Sequence, residues 1–77
     1  MAEIMQQTFS KEGYKKLVDE YNYLTTVRRK EILNDIVVAR GFGDLSENAE
    51  YDEARNEQAK VEARIQELEY IIENAKI

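Results

Sequence analysis

The chain has 77 residues and a formal net charge of −5, with 35% charged residues, no proline, no cysteine and no histidine. This composition predicts one soluble, mainly helical unit without an internal linker, and it excludes disulfides and cysteine or histidine metal sites. The negative charge argues against nonspecific binding along a duplex, which needs many cationic contacts to phosphates. The start is not signal-like and no apolar run reaches membrane-spanning length, so we predict a cytoplasmic protein without membrane contact.

The first helix is predicted to run from about residue 10 to residue 40. Ser10 is a favoured N-cap residue and directly precedes Lys11 and Glu12. After Ser10, mainly apolar residues recur at alternating steps of three and four residues, which is the spacing of a coiled-coil seam. Two extra steps of four near Arg28 shift the register of this seam. The predicted seam of the first arm consists of Tyr14, Leu17, Tyr21, Leu24, Arg28, Ile32, Ile36 and Ala39.

Residues 41–46 interrupt the helical pattern and are predicted to be the tip of a hairpin. Gly41 and Gly43 are the residues expected to end a helix in a left-handed conformation, and Arg40 suits a helix C-terminus. The apolar positions on either side mirror each other about Asp44 and Leu45, so spacing and composition place the turn at the same point.

The second helix is predicted to cover about residues 47–76, with its own seam. Antiparallel pairing places Tyr14 opposite Ala75 and Ala39 opposite Tyr51, with an offset of one residue after Arg28. The predicted fold is therefore all-α, an antiparallel two-helix coiled-coil hairpin about 45 Å long. The seam of the second arm consists of Tyr51, Ala54, Gln58, Val61, Ile65, Leu68, Ile72 and Ala75.

Two carboxylates, Asp44 and Glu47, lie at the predicted tip, and two interpretations of them are open. In the first, Asp44 is the N-cap of the second helix and Glu47 reaches back from the third helical position, as in a capping box. In the second, the two acids are half of a magnesium site that a partner completes. Magnesium commonly takes one or two protein carboxylates, several waters and substrate phosphates.

Basic residues gather at the middle of the rod once the predicted register is imposed. One interpretation is a solvated face with local pairs, such as Glu57 with Lys60 and Arg64 with Glu67. The other is a surface for an anionic partner, since Lys60 and Arg64 are like charges one helical turn apart. Arg28 occupies a seam position and is expected to pack its stem beside Val61. The cluster consists of Arg28, Arg29, Lys30, Lys60 and Arg64.

The run Gly-Asp-Leu-Ser-Glu-Asn-Ala-Glu-Tyr at 43–51 resembles the N-terminal domain of the bacterial transcript cleavage factors GreA and GreB. Val27, Arg28 and Arg29 upstream, and Ala54, Arg55, Glu62, Arg64 and Ile65 downstream, extend the resemblance over essentially the whole chain. It implies a hairpin that enters the secondary channel of RNA polymerase and stimulates cleavage of backtracked RNA by the polymerase. The chain would then not be an enzyme itself.

Carried over by position, Asp44 and Glu47 would hold a second Mg²⁺ and its attacking water within the polymerase, and the isolated chain would bind Mg²⁺ weakly or not at all. The basic residues would contact the 3′-proximal segment of the nascent RNA. Other tip residues would support the acids: Leu45, Ser46, Asn48, Tyr51, Arg40 and Arg55. The RNA-contacting basic patch would be Arg28, Arg29, Lys60 and Arg64.

Three features qualify the resemblance. Ser46 is lysine in some members, which lowers the positive charge of this tip. The C-terminal globular domain of the family is expected to be absent from residues 1–77, and the modest basic patch favours the GreA branch. Two alternative functions also fit the pattern, namely a channel-binding regulator that does not stimulate cleavage and a structural coiled-coil interaction module.

Overall fold

A computed structural model describes residues 8–41, 43 and 47–75 of the chain. The first arm is one continuous rod made of α1 (Lys11–Tyr23), a π-helical turn (Leu24–Arg28) and α2 (Arg29–Arg40). The second arm is α3 (Ala49–Asn74). The arms pack antiparallel, and the longest dimension of the molecule is 49 Å. The predicted all-α antiparallel hairpin is confirmed.

The first arm begins as the sequence predicts. Ser10 is the N-cap of α1, and its hydroxyl accepts a hydrogen bond from the backbone N–H of Gly13 at 3.0 Å. This bond satisfies one of the four backbone donors that the first turn of a helix leaves without an internal partner.

The packed seam is the one that the spacing predicts. The buried apolar residues of the described chain all belong to it, and Ile32, Ile65 and Leu68 are almost fully buried, with at most 2% of their surface exposed. Cross-arm contacts run in antiparallel order, from Tyr21 with Glu69 near the base to Ala39 with Asn48 near the tip. The buried apolar residues are Ile32, Ile36, Ala39, Ala54, Val61, Ile65 and Leu68.

A π-helical turn absorbs the irregularity of the first-arm seam. The backbone N–H of Arg29 bonds to the carbonyl of Leu24, five residues earlier. A π turn holds one residue more than an α turn, which matches the one-residue offset in the predicted pairing. The hydroxyls of Thr25 and Thr26 donate to the carbonyls of Tyr21 and Asn22 at 2.9 and 2.5 Å, so these side chains bond to the backbone beside the irregular turn.

The end of α2 differs in one detail from the prediction. Gly41 is the C-cap, but its φ of −67° lies in the right-handed region, so the expected left-handed conformation at this residue is wrong. Gly43 has a φ of +106°, which a side chain would strain. The left-handed conformation therefore occurs at Gly43, while Gly41 extends the last helical turn by bonding to the carbonyl of Val38 at 3.0 Å.

None of the described helices combines the length and the apolar character needed to cross a membrane.

Candidate functional site at the tip and along the shaft

The second helix begins at Ala49, and its N-cap is Asn48. The Asn48 side-chain oxygen accepts a hydrogen bond from the backbone N–H of Tyr51 at 3.1 Å. The capping-box interpretation, with Asp44 as N-cap and Glu47 at the third helical position, is therefore wrong for α3, which begins two residues after the predicted start at about residue 47. Glu47 precedes the cap and cannot complete a capping box for this helix.

Asn48 also joins the two arms. Its side-chain amide donates to the carbonyl oxygen of Ala39 at 2.6 Å, near the end of α2, and only 7% of the residue is exposed. One side chain thus satisfies an unpaired donor at the start of α3 and an unpaired acceptor at the end of α2. The sequence identified Asn48 only as a neighbour of the acids, whereas the structure shows that it fixes the junction from which the tip projects.

Replacing Asn48 with Ala is expected to lower the free energy of unfolding by about 1–3 kcal/mol, because a cap is lost and a buried carbonyl is left without a donor. Asn48→Asp separates the two bonds, since Asp caps a helix as well as Asn but cannot donate to Ala39. We expect Asn48→Asp to be destabilised as well. Urea unfolding followed by circular dichroism measures both variants. Wild-type stability in Asn48→Asp would show that the bond between the arms contributes nothing.

The acid pair is only partly within the described chain. Glu47 is described, and its side chain is exposed at the tip end of the rod. Asp44, Leu45 and Ser46 lie outside the described residues, so the metal-ligand role predicted for Asp44 and the tip-support roles predicted for Leu45 and Ser46 stay predictions. The described residues include no group of three or more Asp, Glu, His or Cys side chains that could hold a metal ion. A complete metal site is therefore not formed by the described part of the hairpin.

Three predicted tip neighbours have defined positions. Tyr51 is half-buried and packs against the core, and its hydroxyl accepts a long hydrogen bond of 3.4 Å from Arg55 Nη1. Arg55 is exposed on the first turns of α3, and Arg40 is exposed in the last turn of α2. Two cationic side chains thus lie on the helical turns that flank the tip.

The arginines of the basic cluster are engaged in ion pairs between the arms. Arg29 donates from Nε and Nη2 to both carboxylate oxygens of Glu62, each at 2.8 Å. Arg64 donates in the same two-pronged way to Glu20, at 2.8 and 2.9 Å. These two ion pairs, here called the shaft clasps, attach to the first arm on either side of the π turn. Planar two-pronged pairing is the strongest form of carboxylate contact that arginine makes.

Arg28 and Lys60 differ from the two clasp arginines. Arg28 contacts Glu31 at 3.0 Å and Glu57 of the other arm at 3.4 Å. The local pair predicted between Glu57 and Lys60 is therefore wrong, since Glu57 contacts Arg28 and Lys60 has no ion-pair partner in the described chain.

The other predicted local pair forms, since Arg64 Nη1 donates to Glu67 at 2.7 Å. The acidic partners across the arms were missed, although the predicted register brings Glu20, Glu57 and Glu62 near the arginines.

The shaft clasps shift the ionisation of their members. Hydrogen bonds from Arg64 lower the pKa of Glu20, and hydrogen bonds from Arg29 lower the pKa of Glu62. The carboxylates in turn raise the pKa of both arginines. The hydroxyl of Tyr21 donates to Glu69 at 2.9 Å, and this bond raises the pKa of the tyrosine.

Acid is expected to weaken the hairpin through these carboxylates. The pKa values of Glu20 and Glu62 are lower in the folded chain than their ordinary value of 4.5. Their contribution to stability is therefore fully present above pH 4.5 and is lost as the pH falls through the folded values. The clasps are partly exposed and screened by solvent, so the loss of stability should be small. Thermal unfolding at neutral pH and near pH 3 measures the loss, and a Glu20→Gln, Glu62→Gln variant should lose less.

Comparisons with a family model and with curated proteins match nearly the whole chain to the same family. A family model described as transcription elongation factor, N-terminal (GreA_GreB_N) matches residues 7–77. The chain is 58% identical over 77 residues to the transcription elongation factor GreA of Geobacillus kaustophilus (strain HTA426), covering 100% of the chain and 49% of that relative. The GreA of Clostridium botulinum (strain Langeland / NCTC 10281 / Type F) is 57% identical over 77 residues, covering 100% and 48%.

A further relative matches a shorter stretch. The transcription elongation factor GreA of Clostridium perfringens (strain SM101 / Type A) is 62% identical over 66 residues, covering 86% of the chain and 42% of that relative. The chain thus spans about half the length of the curated relatives that it matches.

Proposed function

Because this chain belongs to the family of GreA and GreB transcription elongation factor N-terminal domains, we propose that it enters the secondary channel of bacterial RNA polymerase. There its tip stimulates cleavage of backtracked nascent RNA and so allows elongation past arrest sites. In this proposal the chain by itself is not an enzyme. It supplies carboxylates to an active centre that the polymerase provides.

The observation that carries the proposal is the exposed carboxylate of Glu47 at one end of a hairpin 49 Å long. Glu47 precedes the cap of α3, so helix capping does not account for it. Asn48 ties the ends of α2 and α3 together directly beside it. A long, packed shaft with a fixed junction is suited to holding an acidic side chain at a defined position deep in a channel. An acid on a loosely tethered segment would not keep that position.

The donor set fits magnesium. Carboxylate oxygens are hard ligands, and a Mg²⁺ ion in a phosphoryl-transfer site commonly uses one or two of them together with waters and substrate phosphates. Asp44 and Glu47 would hold the ion jointly with the polymerase. When bound, Mg²⁺ would supply Lewis-acid activation of water for hydrolysis of a phosphodiester. Two carboxylates leave most of the Mg²⁺ coordination sphere to waters and phosphates, so we expect the chain alone to bind the ion weakly.

The neighbouring side chains would position the acids and the RNA. Asn48 holds the tip junction, and Tyr51 packs the first turn of α3 onto the core. Arg40 and Arg55 carry positive charge on the flanking turns, where they would attract the phosphates of the substrate. Leu45 and Ser46 would line the tip beside the acids. Farther along the shaft, the basic cluster would contact the extruded RNA.

A cleavage assay on a stalled, backtracked polymerase complex tests the proposal. Adding the chain is expected to increase the rate of endonucleolytic RNA cleavage, whereas the chain alone should leave free RNA intact. Polymerase binding without any increase in cleavage would favour a regulator that only occupies the channel. Failure to bind polymerase, together with concentration-dependent self-association, would favour a structural module.

A further inference from the structure

Three of the four residues predicted to form the RNA-contacting patch are already engaged by carboxylates of the same chain. Arg29 and Arg64 form the shaft clasps, and Arg28 contacts Glu31 and Glu57. Lys60 is the member of the patch without an ion-pair partner in the described chain. The middle of the shaft is therefore nearly neutral overall, although its sequence is rich in basic residues.

The geometry of the clasps sets a condition on phosphate binding. The Nε and Nη2 donors of Arg29 and Arg64, which would grip a phosphate in two-pronged fashion, are the same atoms that bond Glu62 and Glu20. An incoming phosphate must displace a carboxylate before it gains the full contact. The clasp side chains are 38–43% exposed, so this exchange requires no unfolding of the core.

From this arrangement we propose that Glu20 and Glu62 are specificity-determining residues of the shaft: they compete with RNA phosphates for Arg64 and Arg29, which keeps free RNA from binding. The inference rests on the proposed function for its biological setting. RNA extruded beside the shaft inside the polymerase would be at high local concentration and could displace the carboxylates. RNA in solution would meet a weak, nearly neutral surface on a chain of net charge −5.

The strength of the competition follows from the exposure of the pairs. Partly exposed ion pairs are weak, so releasing one arginine should improve RNA affinity about two- to fivefold. Each arginine released for a phosphate of single-stranded RNA should also steepen the dependence of log affinity on log salt by about 0.7 unit. Removing a carboxylate that is not paired with an arginine should change RNA affinity only by making the chain less negative.

Fluorescence anisotropy with a labelled single-stranded oligouridine at low salt tests the inference on the full chain without polymerase. Glu20→Gln and Glu62→Gln are compared with Glu53→Gln, which removes the same charge from α3 at an exposed position that has no ion pair in the described chain. We expect the two clasp variants to bind the RNA about two- to fivefold more tightly than Glu53→Gln, with a steeper salt dependence.

Circular dichroism confirms that each variant is folded before its affinity is compared. Equal affinity and equal salt dependence in folded clasp and control variants would overturn the inference and leave the clasps as structural contacts. Cleavage stimulation is measured separately with the wild-type chain. A failure in that assay would remove the proposed function without altering the comparison of RNA affinities.

Discussion

Glu47→Gln and Asp44→Asn are each expected to reduce stimulated RNA cleavage strongly while leaving polymerase binding intact. Each change removes a negative oxygen ligand from Mg²⁺ and preserves the size of the side chain. Loss of a side chain that only supports a metal ligand commonly costs about ten- to a hundredfold in affinity or activity, so loss of a direct ligand should reduce cleavage at least about tenfold at low magnesium. Higher magnesium should restore part of the activity. Cleavage of a backtracked complex across a magnesium titration measures both effects.

The folding of these variants is the control. Glu47 is exposed and lies outside α3, so Glu47→Gln should change the free energy of unfolding by no more than about 0.5 kcal/mol. Asn48→Ala is the complementary variant. It keeps both acids but removes the hydrogen bonds that join the ends of α2 and α3, so it should lower the stability of the hairpin. Full cleavage activity at low magnesium in both acid variants would contradict the metal-ligand role.

Ile65→Ala is expected to have the largest effect on stability. Ile65 is 1% exposed and belongs to the buried cluster formed by both arms. Truncation of a fully buried isoleucine costs about 2–5 kcal/mol. A two-helix hairpin has a thin core and little stability in reserve, so the variant should be largely unfolded near 37 °C. Thermal unfolding followed by far-ultraviolet circular dichroism measures the change.

Leu33→Ala is the matched control for this loss. Leu33 lies on the other arm and is 53% exposed, so its truncation removes a similar volume from the surface and should change stability by no more than about 0.5 kcal/mol. Equal destabilisation by the two substitutions would show that the predicted seam is not the structural core of the hairpin.

The seam could be predicted because burial in a two-helix hairpin depends almost entirely on one periodic pattern. A residue on the facing stripe is covered by the other arm, and a residue elsewhere on a helix is not. Ile32, Ile65 and Leu68 were identified in this way and are the largest fully buried side chains of the described chain. The antiparallel register followed because the two patterns mirror each other about a short glycine-containing segment.

The π turn could not be predicted from the seam alone. The spacing located a register shift near Arg28, but a shifted coiled coil can be accommodated by a change in supercoiling or by an inserted residue. The structure uses an inserted residue at Leu24–Arg28. Thr25 and Thr26 lie within this turn, and their hydroxyls bond to the backbone carbonyls of the preceding helical turn. This pair of threonines is the sequence signal that could have indicated the outcome.

The cap and the ion pairs were harder to predict for a different reason. Asp44, Ser46 and Asn48 are all residue types that cap helices well, and local pattern alone does not choose among them. The second bond of Asn48, to Ala39 of the other arm, depends on the tertiary arrangement. Similarly, Arg64 has acidic neighbours on its own helix, and its two-pronged pairing with Glu20 depends on how the arms face each other.

Crosslinking from the tip tests the central claim most directly, namely that the hairpin delivers its tip to the catalytic centre of RNA polymerase. The chain has no cysteine, so Ser46→Cys carries a single photo-crosslinker, and Gln66→Cys places the same probe on α3, about 27 Å from its N-cap Asn48. In a backtracked complex, we expect the probe at position 46 to crosslink to the catalytic centre, and the probe at position 66 to crosslink outside it. Crosslinks from position 46 only to the outer surface of the polymerase, or none at all, would contradict the account.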